Sequence, residues 1–412
     1  MATRTHIAST PPEPGDARAI RLRRGASLHP VEDSAILFDA DTQHLYAANT
    51  TSAFIWCCFE EGLPATEAAA RLGAAFGLAT ADAEAFVRDA LRQWTSLDLI
   101  EDAANAAPRR PRPAPSSVVE SWTEPAVGPF RVETARTYRL LDSCFRFRFA
   151  SAAVERELHP FLESLADAPI AGEDPVIVDV REQGHLRALC HKGRVVERWV
   201  AREELVPTAK IALVALALDR SGDFGAIHAA AVAPRPGAPC VVIAGVSGSG
   251  KSTLTAALAA DGLLALGDDT VVLSRETLTA RPVPFGICVK DGAWELLSAR
   301  VPDCATAPVH RRLDGKIVRY LVSPSRRFAR GARHPIAAVV FPRRRAGVEP
   351  RLVPLARADA LQRLLSEFCP LGGPLTPETV DDLARWIRAV GCFELRYGSL
   401  DDGTRLIGEL CA

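Results

Sequence analysis

The sequence lacks the features that mark secreted and membrane-spanning proteins. No run of eighteen apolar residues occurs, and prolines and acids stand in the first twenty residues, where a signal peptide would have an apolar core. The ten cysteines include no C-x-x-C pair, so neither a clustered zinc site nor the disulfide framework of a small secreted domain is indicated. We therefore expect buried, reduced thiols and a cytoplasmic protein.

A surplus of charge of one sign is also missing. The formal net charge is -1 over 412 residues, which argues against a general binder of nucleic acids or of membrane surfaces. We expect neither as a partner. The length suits two or three domains rather than one, and the composition leaves open whether the chain forms a homo-oligomer.

Shifts in composition divide the chain into four stretches. Residues 1–16 are polar and contain prolines, which predicts disorder. Residues 17–102 carry three strand patterns and then three amphipathic helix patterns, which predicts a small α+β domain. Residues 103–128 are rich in Ala, Pro, Arg and Ser, as linkers are. Strand and helix patterns then alternate over 129–412, which predicts a larger α/β domain.

The local patterns of the first domain are specific enough to place its elements. Strands are predicted at 20–28, 35–38 and 44–48, and helices are predicted to begin at Asn49 or Thr50, at Thr66, and at Thr80 or Asp82. The last helix carries apolar residues with a period near 3.6, so one of its sides should face a core.

A phosphate-binding motif stands in the second domain. Residues 245–252 read Gly-Val-Ser-Gly-Ser-Gly-Lys-Ser, a complete G-x-x-x-x-G-K-S between an apolar strand pattern at 241–244 and a helix pattern at 253–260. The glycines let successive N–H groups point at nucleotide phosphates, the lysine adds a full charge, and the last serine can bind Mg²⁺. The motif predicts ATP and Mg²⁺ as cofactors. The predicted ATP-binding residues are Gly245, Ser247, Gly248, Ser249, Gly250, Lys251, Ser252 and Thr253.

Two adjacent acids follow the next apolar strand pattern, at 263–266. Asp268 lies only 17 residues after Lys251, and Asp269 follows it directly. Two carboxylates beside a bound triphosphate suit two tasks, because one can bind Mg²⁺ while the other takes the proton of an acceptor hydroxyl. The alternative is a solvated Gly-Asp-Asp turn. The position at the end of a strand, next to the phosphate loop, favours the functional interpretation.

These residues together resemble a known family. A histidine after Ile227, the phosphate loop and the acid pair at this short distance look like the bacterial HPr serine kinase/phosphorylase fold. They look more closely like HPr-kinase-related proteins of peptide-modification clusters, of the lasso-peptide-kinase type. The resemblance covers roughly residues 130–412 and is strongest over 225–275. The catalytic residues that it implies are His228, Lys251, Asp268 and Asp269, and the metal ligands are Ser252 and Asp269.

The chain also departs from that family. Thr253 stands where the bifunctional members have an acid, and the expected Glu-Arg-Gly signature is missing from 281–286, so the reverse phosphorylase reaction is in doubt. Lys290 either reaches a phosphate or lies on the surface. A basic block without acids either guides an acidic peptide or is a solvated loop. Its members are Lys316, Arg319, Arg326, Arg327, Arg330, Arg333, Arg343, Arg344 and Arg345.

The first domain resembles the PqqD-like recognition domain of ribosomal peptide pathways. The resemblance rests on the order of three strands and three helices, and on a strand at 44–48 that runs straight into an aromatic helix. It implies that a leader peptide pairs with the sheet edge beside the last helix. A winged-helix DNA-binding domain has similar elements, but the helix at 80–97 is not basic. The implied peptide-binding residues are Leu45, Tyr46, Ala47, Phe86 and Trp94.

The two halves together predict a peptide-modifying enzyme. The first domain would bind the leader of a precursor peptide, and the second would transfer the γ-phosphoryl group of ATP to a serine hydroxyl of that peptide. Two alternatives stay open. The chain could be an HPr-kinase-like protein kinase that acts on a folded carrier protein, or a non-catalytic peptide chaperone that binds ATP only as a switch.

Overall fold

The computed structural model describes residues 20–101, 121–122, 124–126, 128–168, 172–321 and 331–412. They form a mixed α/β fold, as predicted, and the chain divides into two compact units. The first unit takes the described residues up to 101 together with Ala356–Gln362 and Leu375–Ala389. The second takes those from 121 to Leu355, then Arg363–Pro374 and Val390–Ala412. The predicted disorder over 1–16, and the predicted linker over 103–120, lie outside the described residues.

Helices and strands alternate through most of the described chain. The helices are α1 (Thr50–Glu60), α2 (Ala65–Phe76), α3 (Thr80–Ser96), α4 (Ala152–Leu162), α5 (Leu205–Asp219), α6 (Lys251–Ala260), α7 (Trp294–Ser298), α8 (Asp303–Thr306), α9 (Arg357–Leu365), α10 (Pro377–Arg388) and α11 (Leu400–Cys411). None of the helices in the described ranges combines the length and the low polarity that crossing a membrane requires.

The strands are short and number twenty-two in the described ranges. Those of the first part of the chain are β1 (Ala26–Val31), β2 (Ser34–Asp39), β3 (His44–Ala48), β4 (Thr134–Leu140), β5 (Ser143–Phe149), β6 (Val176–Gln183), β7 (Leu186–His191), β8 (Arg194–Val195), β9 (Val200–Ala201), β10 (Gly225–Ile227) and β11 (Ala229–Ala233). The remainder are β12 (Cys240–Ala244), β13 (Leu264–Gly267), β14 (Val271–Leu273), β15 (Ala280–Arg281), β16 (Ile287–Lys290), β17 (Val309–Arg311), β18 (Ile317–Leu321), β19 (Ile336–Arg344), β20 (Arg351–Pro354), β21 (Phe368–Pro370) and β22 (Gly391–Tyr397).

The first unit begins with the antiparallel sheet β1-β2-β3, followed by α1, α2 and α3, in the predicted order. The cap of α1 is also as predicted, because the Asn49 side chain accepts the Ser52 N–H. The predicted cap Thr66 is wrong: α2 begins one residue earlier, after Pro64, whose ring fixes φ without a side-chain bond. The first strand also begins later than predicted, because the chain turns between Arg23 and Ala26.

Both faces of this small sheet are covered. Leu37 joins the core formed with α1, α2 and α3, whereas Ile36 and Phe38 alternate with it and so lie on the opposite face, where they are fully buried. Helix α10 contacts β1 and β2 from later in the chain. On β1, Nδ1 of the buried His29 lies 2.6 Å from Oδ1 of Asp381, which belongs to α10. The first unit therefore includes a helix from the C-terminal part of the sequence.

The second unit contains four sheets, and two of them carry the candidate site. One has the order β13-β11-β12-β19-β22-β20, and the other has the order β15-β14-β10-β21. Within the first of these, β12, β19 and β22 run parallel, and every residue of β12 is buried. The remaining sheets are β16-β18-β17 and β4-β5-β6-β7-β8, with β9 paired to β7. Part of the predicted linker belongs here, because Trp122 is buried in the core of this unit.

The core of the first unit predicts that two aromatic residues of α3 contribute very differently to the stability of the protein. Trp94 is 2% exposed and meets Trp56 edge to face at 5.1 Å between ring centroids, whereas Phe86 is 44% exposed. Trp94→Ala should lower the free energy of unfolding by about 3–5 kcal/mol, because it leaves a cavity, and Phe86→Ala should cost less than about 1 kcal/mol. Urea denaturation of both full-length variants measures this, and equal losses would contradict the placement of Trp94.

Candidate functional site

The phosphate loop has the backbone geometry that its sequence predicts. Strand β12 ends at Ala244, and α6 begins at Lys251, so the loop joins a buried strand to a helix N-terminus. Gly245, Gly248 and Gly250 have φ values of 140°, 91° and 98°. Residues that carry a side chain rarely adopt such φ values, so this loop conformation requires glycine at the three positions. A Cβ at Gly250 would also meet the Tyr397 hydroxyl oxygen at 2.9 Å.

A cavity of about 510 Å³ opens beside this loop. It brings together every residue that the sequence predicted as catalytic and nearly all of those predicted to bind ATP, with Gly245 on a neighbouring, smaller cavity. Lys251, Lys290, Arg312 and Arg344 give its wall four cationic side chains, which suits a polyanionic ligand. Tyr397, Leu296 and Leu400 also line the cavity.

A buried lysine lies beneath the two aspartates. Nζ of Lys210, on α5, is 3.2 Å from Oδ1 of Asp268 and 2.8 Å from Oδ2 of Asp269. The Lys210 side chain is 8% exposed and the Asp268 side chain 2%, whereas that of Asp269 is 29% exposed. Nζ also lies within 6 Å of the ring centroids of Phe285 and Tyr320, at 5.9 and 5.6 Å. The acid pair is therefore built into the protein around a cation and is not a solvated turn.

The charges of this trio do not balance. Burial opposes the ammonium of Lys210, but the two aspartates outweigh it and hold the pKa of Lys210 well above its ordinary value. Burial also opposes ionisation of Asp269, but Lys210 outweighs it and lowers the pKa of that carboxyl. Burial raises the pKa of Asp268, and Asp269 beside it adds to the rise. One ammonium thus balances one carboxylate, and the second is left without a full countercharge.

The surroundings of the loop fit a nucleotide phosphate with a divalent ion. The Ser252 hydroxyl lies 3.4 Å from Oδ2 of Asp268, the carboxylate that lacks a full countercharge. Oγ of Ser249 is buried and has no hydrogen-bond partner among the described residues. The Lys251 ammonium folds back on the Gly245 carbonyl oxygen, at the place where the loop would hold a phosphate. Burial is the main cause that lowers the pKa of Lys251, as expected for a cation lacking its anion.

His228 stands where the chain passes from one sheet to the other, between β10 and β11. Its side chain is exposed to the cavity, and its backbone N–H donates to the Glu367 carbonyl at 2.9 Å. The charge of His228 contributes to the lowered pKa of Asp269. The structure therefore places the His228 side chain in the same cavity as Asp269.

The structure bears on two features whose role the sequence left open, namely Lys290 and the basic block. Nζ of Lys290 donates to the Ser247 hydroxyl at 3.2 Å, so this lysine faces the phosphate loop. From the basic block, Arg344 lines the cavity, and Nη1 of Arg343 is 3.6 Å from a Glu394 oxygen. Arg326, Arg327 and Arg330 lie outside the described residues.

The residues predicted to bind a peptide separate into an edge and a core. Leu45, Tyr46 and Ala47 lie on β3, an edge strand of its sheet, but Trp94 is buried among aromatic rings and only Phe86 is at the surface. The Ala47 N–H donates to Oε1 of Gln362 at 3.0 Å. Because alternate residues of an antiparallel edge strand turn their backbone groups outward, Leu45 and Ala47 present the same pairing edge. A later part of the chain thus occupies one position of that edge.

The site also contains residues that were not predicted from the sequence. Lys210, Arg312 and Glu367 all lie in segments without a motif. Lys210 alone left a signal in the sequence, because it is the one charged residue before the final Asp in the apolar stretch of α5, 205–219. A lysine is rarely buried without a partner, so its position in a buried helix indicates an acid nearby.

Comparisons with known proteins add little. No family model matches the chain, and no curated protein matches it. Among solved structures, one that matches is described as TbiB1 in complex with the TbiA(beta) leader peptide, at 21% sequence identity. That match covers 21% of this chain and 99% of the other, with a TM-score of 0.20. A likeness this low carries no conclusion about function.

Because the Tyr397 hydroxyl lies close to Gly250, removing that hydroxyl should restore part of the stability that a side chain at position 250 costs. Gly250→Ala should destabilise the protein by about 1–2 kcal/mol from φ alone, with an added cost from the Tyr397 hydroxyl. Tyr397→Phe removes that oxygen, so the double variant should recover the added cost but not the backbone strain. Thermal unfolding of the four proteins measures it. Gly262→Ala, with φ 102° and no atom within 4 Å of the added Cβ, is the control for strain alone.

Proposed function

We propose that this protein is an ATP-dependent kinase that phosphorylates a serine hydroxyl of a precursor peptide recruited through its leader. One observation carries the catalytic half of the proposal. The glycine loop, Ser252, the two aspartates and His228 face one cavity, and Lys210 supports the aspartates from below. The resemblance noted from the sequence suggests the peptide half.

The cationic wall suits the triphosphate of ATP. Lys251 and the first N–H groups of α6 would bind the β- and γ-phosphates, and the Lys290 ammonium contacts Ser247 of the same loop. Arg312 and Arg344 bring further positive charge to the same cavity. Leu296 and Leu400 offer apolar surface for the base.

The two aspartates suit different tasks. Mg²⁺, when bound, supplies the divalent charge that neutralises the phosphates. The sequence paired Ser252 with Asp269 as its ligands, but the Ser252 hydroxyl is oriented toward Asp268, so we assign Asp268 and Ser252 to the metal. Asp269 is more exposed and lies near His228, so we assign it as the base.

The proton and the phosphoryl group then move in a balanced step. Asp269 accepts the proton of the serine hydroxyl as its oxygen bonds to phosphorus, and the bond from phosphorus to the oxygen of ADP breaks. Lys251 stabilises the charge that develops on the ADP oxygen. The lowered pKa of Asp269 is compatible with this role, because the phosphoryl-transfer transition state is loose and little proton transfer precedes it.

Leader binding would use the β3 edge. An added strand would pair with the outward backbone groups of Leu45 and Ala47, and Phe86 is exposed on α3. The leader must compete for the Ala47 N–H that Gln362 now accepts. Binding at the edge would raise the effective concentration of the peptide at the kinase, because the two parts belong to one chain.

The test is incubation of the full chain with Mg-ATP and the peptide encoded beside its gene, followed by mass spectrometry. A gain of one phosphoryl group on serine is expected. Asp269→Asn should lower the rate by roughly 10²–10⁴ while Mg-ATP still binds, and Asp268→Asn should weaken Mg-dependent ATP binding as well. The control Glu349→Gln removes an exposed carboxylate that does not line the cavity and should change neither.

Other outcomes point to the alternatives. Unmodified peptide that binds tightly would indicate an ATP-dependent chaperone. Phosphorylation of a folded carrier protein without leader binding would indicate a carrier kinase. A chain that binds no ATP would contradict the proposal altogether.

The contact of Gln362 with the β3 edge predicts how a substitution at Gln362 should change leader binding. Gln362→Ala frees the Ala47 N–H and should tighten leader binding by about two- to tenfold, because one hydrogen bond no longer has to be exchanged. Fluorescence anisotropy of a labelled leader measures the affinity. Gln93→Ala, an exposed glutamine of α3, is the matched control and should leave it unchanged. Weaker binding in Gln362→Ala would instead show that Gln362 contacts the leader.

A further inference from the structure

The arrangement around Lys210 has a meaning beyond neutralising charge. Its ammonium contacts one oxygen of each aspartate, which is the position of an ion that bridges two carboxylates. Sites that transfer phosphoryl groups often use two metal ions, and an ion between two carboxylates is one of them. Here the remaining oxygens are already directed elsewhere. Oδ2 of Asp268 accepts the Cys288 N–H at 2.7 Å and faces Ser252, and Oδ1 of Asp269 faces the Thr270 hydroxyl at 3.3 Å.

We propose that Lys210 is the resident cation of the site, so that its ammonium takes the place of a second metal ion and the site binds a single divalent ion, beside Ser252. The inference rests on the proposed function only in that this ion accompanies ATP. Lys210 does not touch the substrate. It is a positioning residue that acts through the two carboxylates.

While Lys210 is present, its own side chain occupies the space that a second metal ion would need. Mg²⁺ retains several waters when proteins bind it, so it needs a hydrated space. Nζ of Lys210 instead has the ring centroids of Phe285 and Tyr320 at 5.9 and 5.6 Å, and the lysine is buried. An ammonium on a flexible chain can be buried in such a pocket because its own methylene groups fill it. The geometry therefore favours a cation that belongs to the protein.

A built-in cation changes how the free site behaves. Two carboxylates this close repel each other strongly when they are buried, and without a cation they would separate or take up protons. Lys210 keeps them together before any metal or nucleotide arrives. The aspartates are thus held in place in advance, and one carboxylate charge remains for an incoming ion to neutralise, because Lys210 supplies a single positive charge to two carboxylates.

The test replaces the protein's cation with a metal and needs neither ATP nor the peptide. Lys210→Ala removes the ammonium and leaves room for a hydrated ion. The apo variant should be destabilised, and Mn²⁺ should raise its melting temperature and bind about tenfold tighter or more than to wild type. Lys210→Arg keeps the charge and should behave as wild type. Lys316→Ala is the control and should not gain Mn²⁺ affinity, because it removes an exposed lysine that pairs with Asp314 at 2.8 Å and does not line the cavity.

A second variant keeps the proposal testable if Lys210→Ala does not fold. In Lys210→Ala/Asp269→Asn one negative charge leaves with the positive one, so this protein should fold without metal and show no Mn²⁺ rescue. Equal Mn²⁺ affinity in Lys210→Ala and wild type would overturn the proposal. So would a double variant no more stable than Lys210→Ala alone. Neither result depends on kinase activity, so a failed phosphorylation assay is distinguishable from a failure here.

Discussion

The candidate site depends on a problem of buried charge. Two aspartates end a buried strand next to a loop built to hold anions, and burial of both would be costly without a cation within reach. Lys210 provides that cation from α5, a helix that is otherwise apolar and packed in the core of the second unit. The position of α5 against the sheets therefore fixes the separation of the carboxylates, and with it the place beside Ser252 that still lacks positive charge.

The same site is assembled from parts that are far apart in the sequence. The loop and the aspartates are local, but His228, Arg312, Arg344 and Tyr397 come from other elements. Contacts with other segments hold such residues in place. The backbone N–H of His228, for example, donates to the Glu367 carbonyl oxygen. Positive charges that suit a polyanion are then held in place before a ligand binds, which lowers the free-energy cost of organising them around it.

The sequence predicted what is local and missed what depends on tertiary contacts. The glycine motif and the spacing to Asp268 fix their own backbone and chemistry, so the residues of the loop and the acid pair could be named in advance. The two-sided burial of β2 could not, because its second cover, α10, lies more than 300 residues later. Trp94 shows the same limit. Helical periodicity put it on an apolar face but did not say whether that face meets the core or a ligand.

The covering of the small sheet by α10 decides whether the first unit can be separated from the rest of the chain. A stretch cut at residue 102 would leave Ile36 and Phe38 bare on one face and His29 without Asp381. Such a fragment would expose an apolar surface and would tend to aggregate. Transferring the first unit to another protein would require α10 as well, because the unit is built from segments that are not contiguous in the sequence.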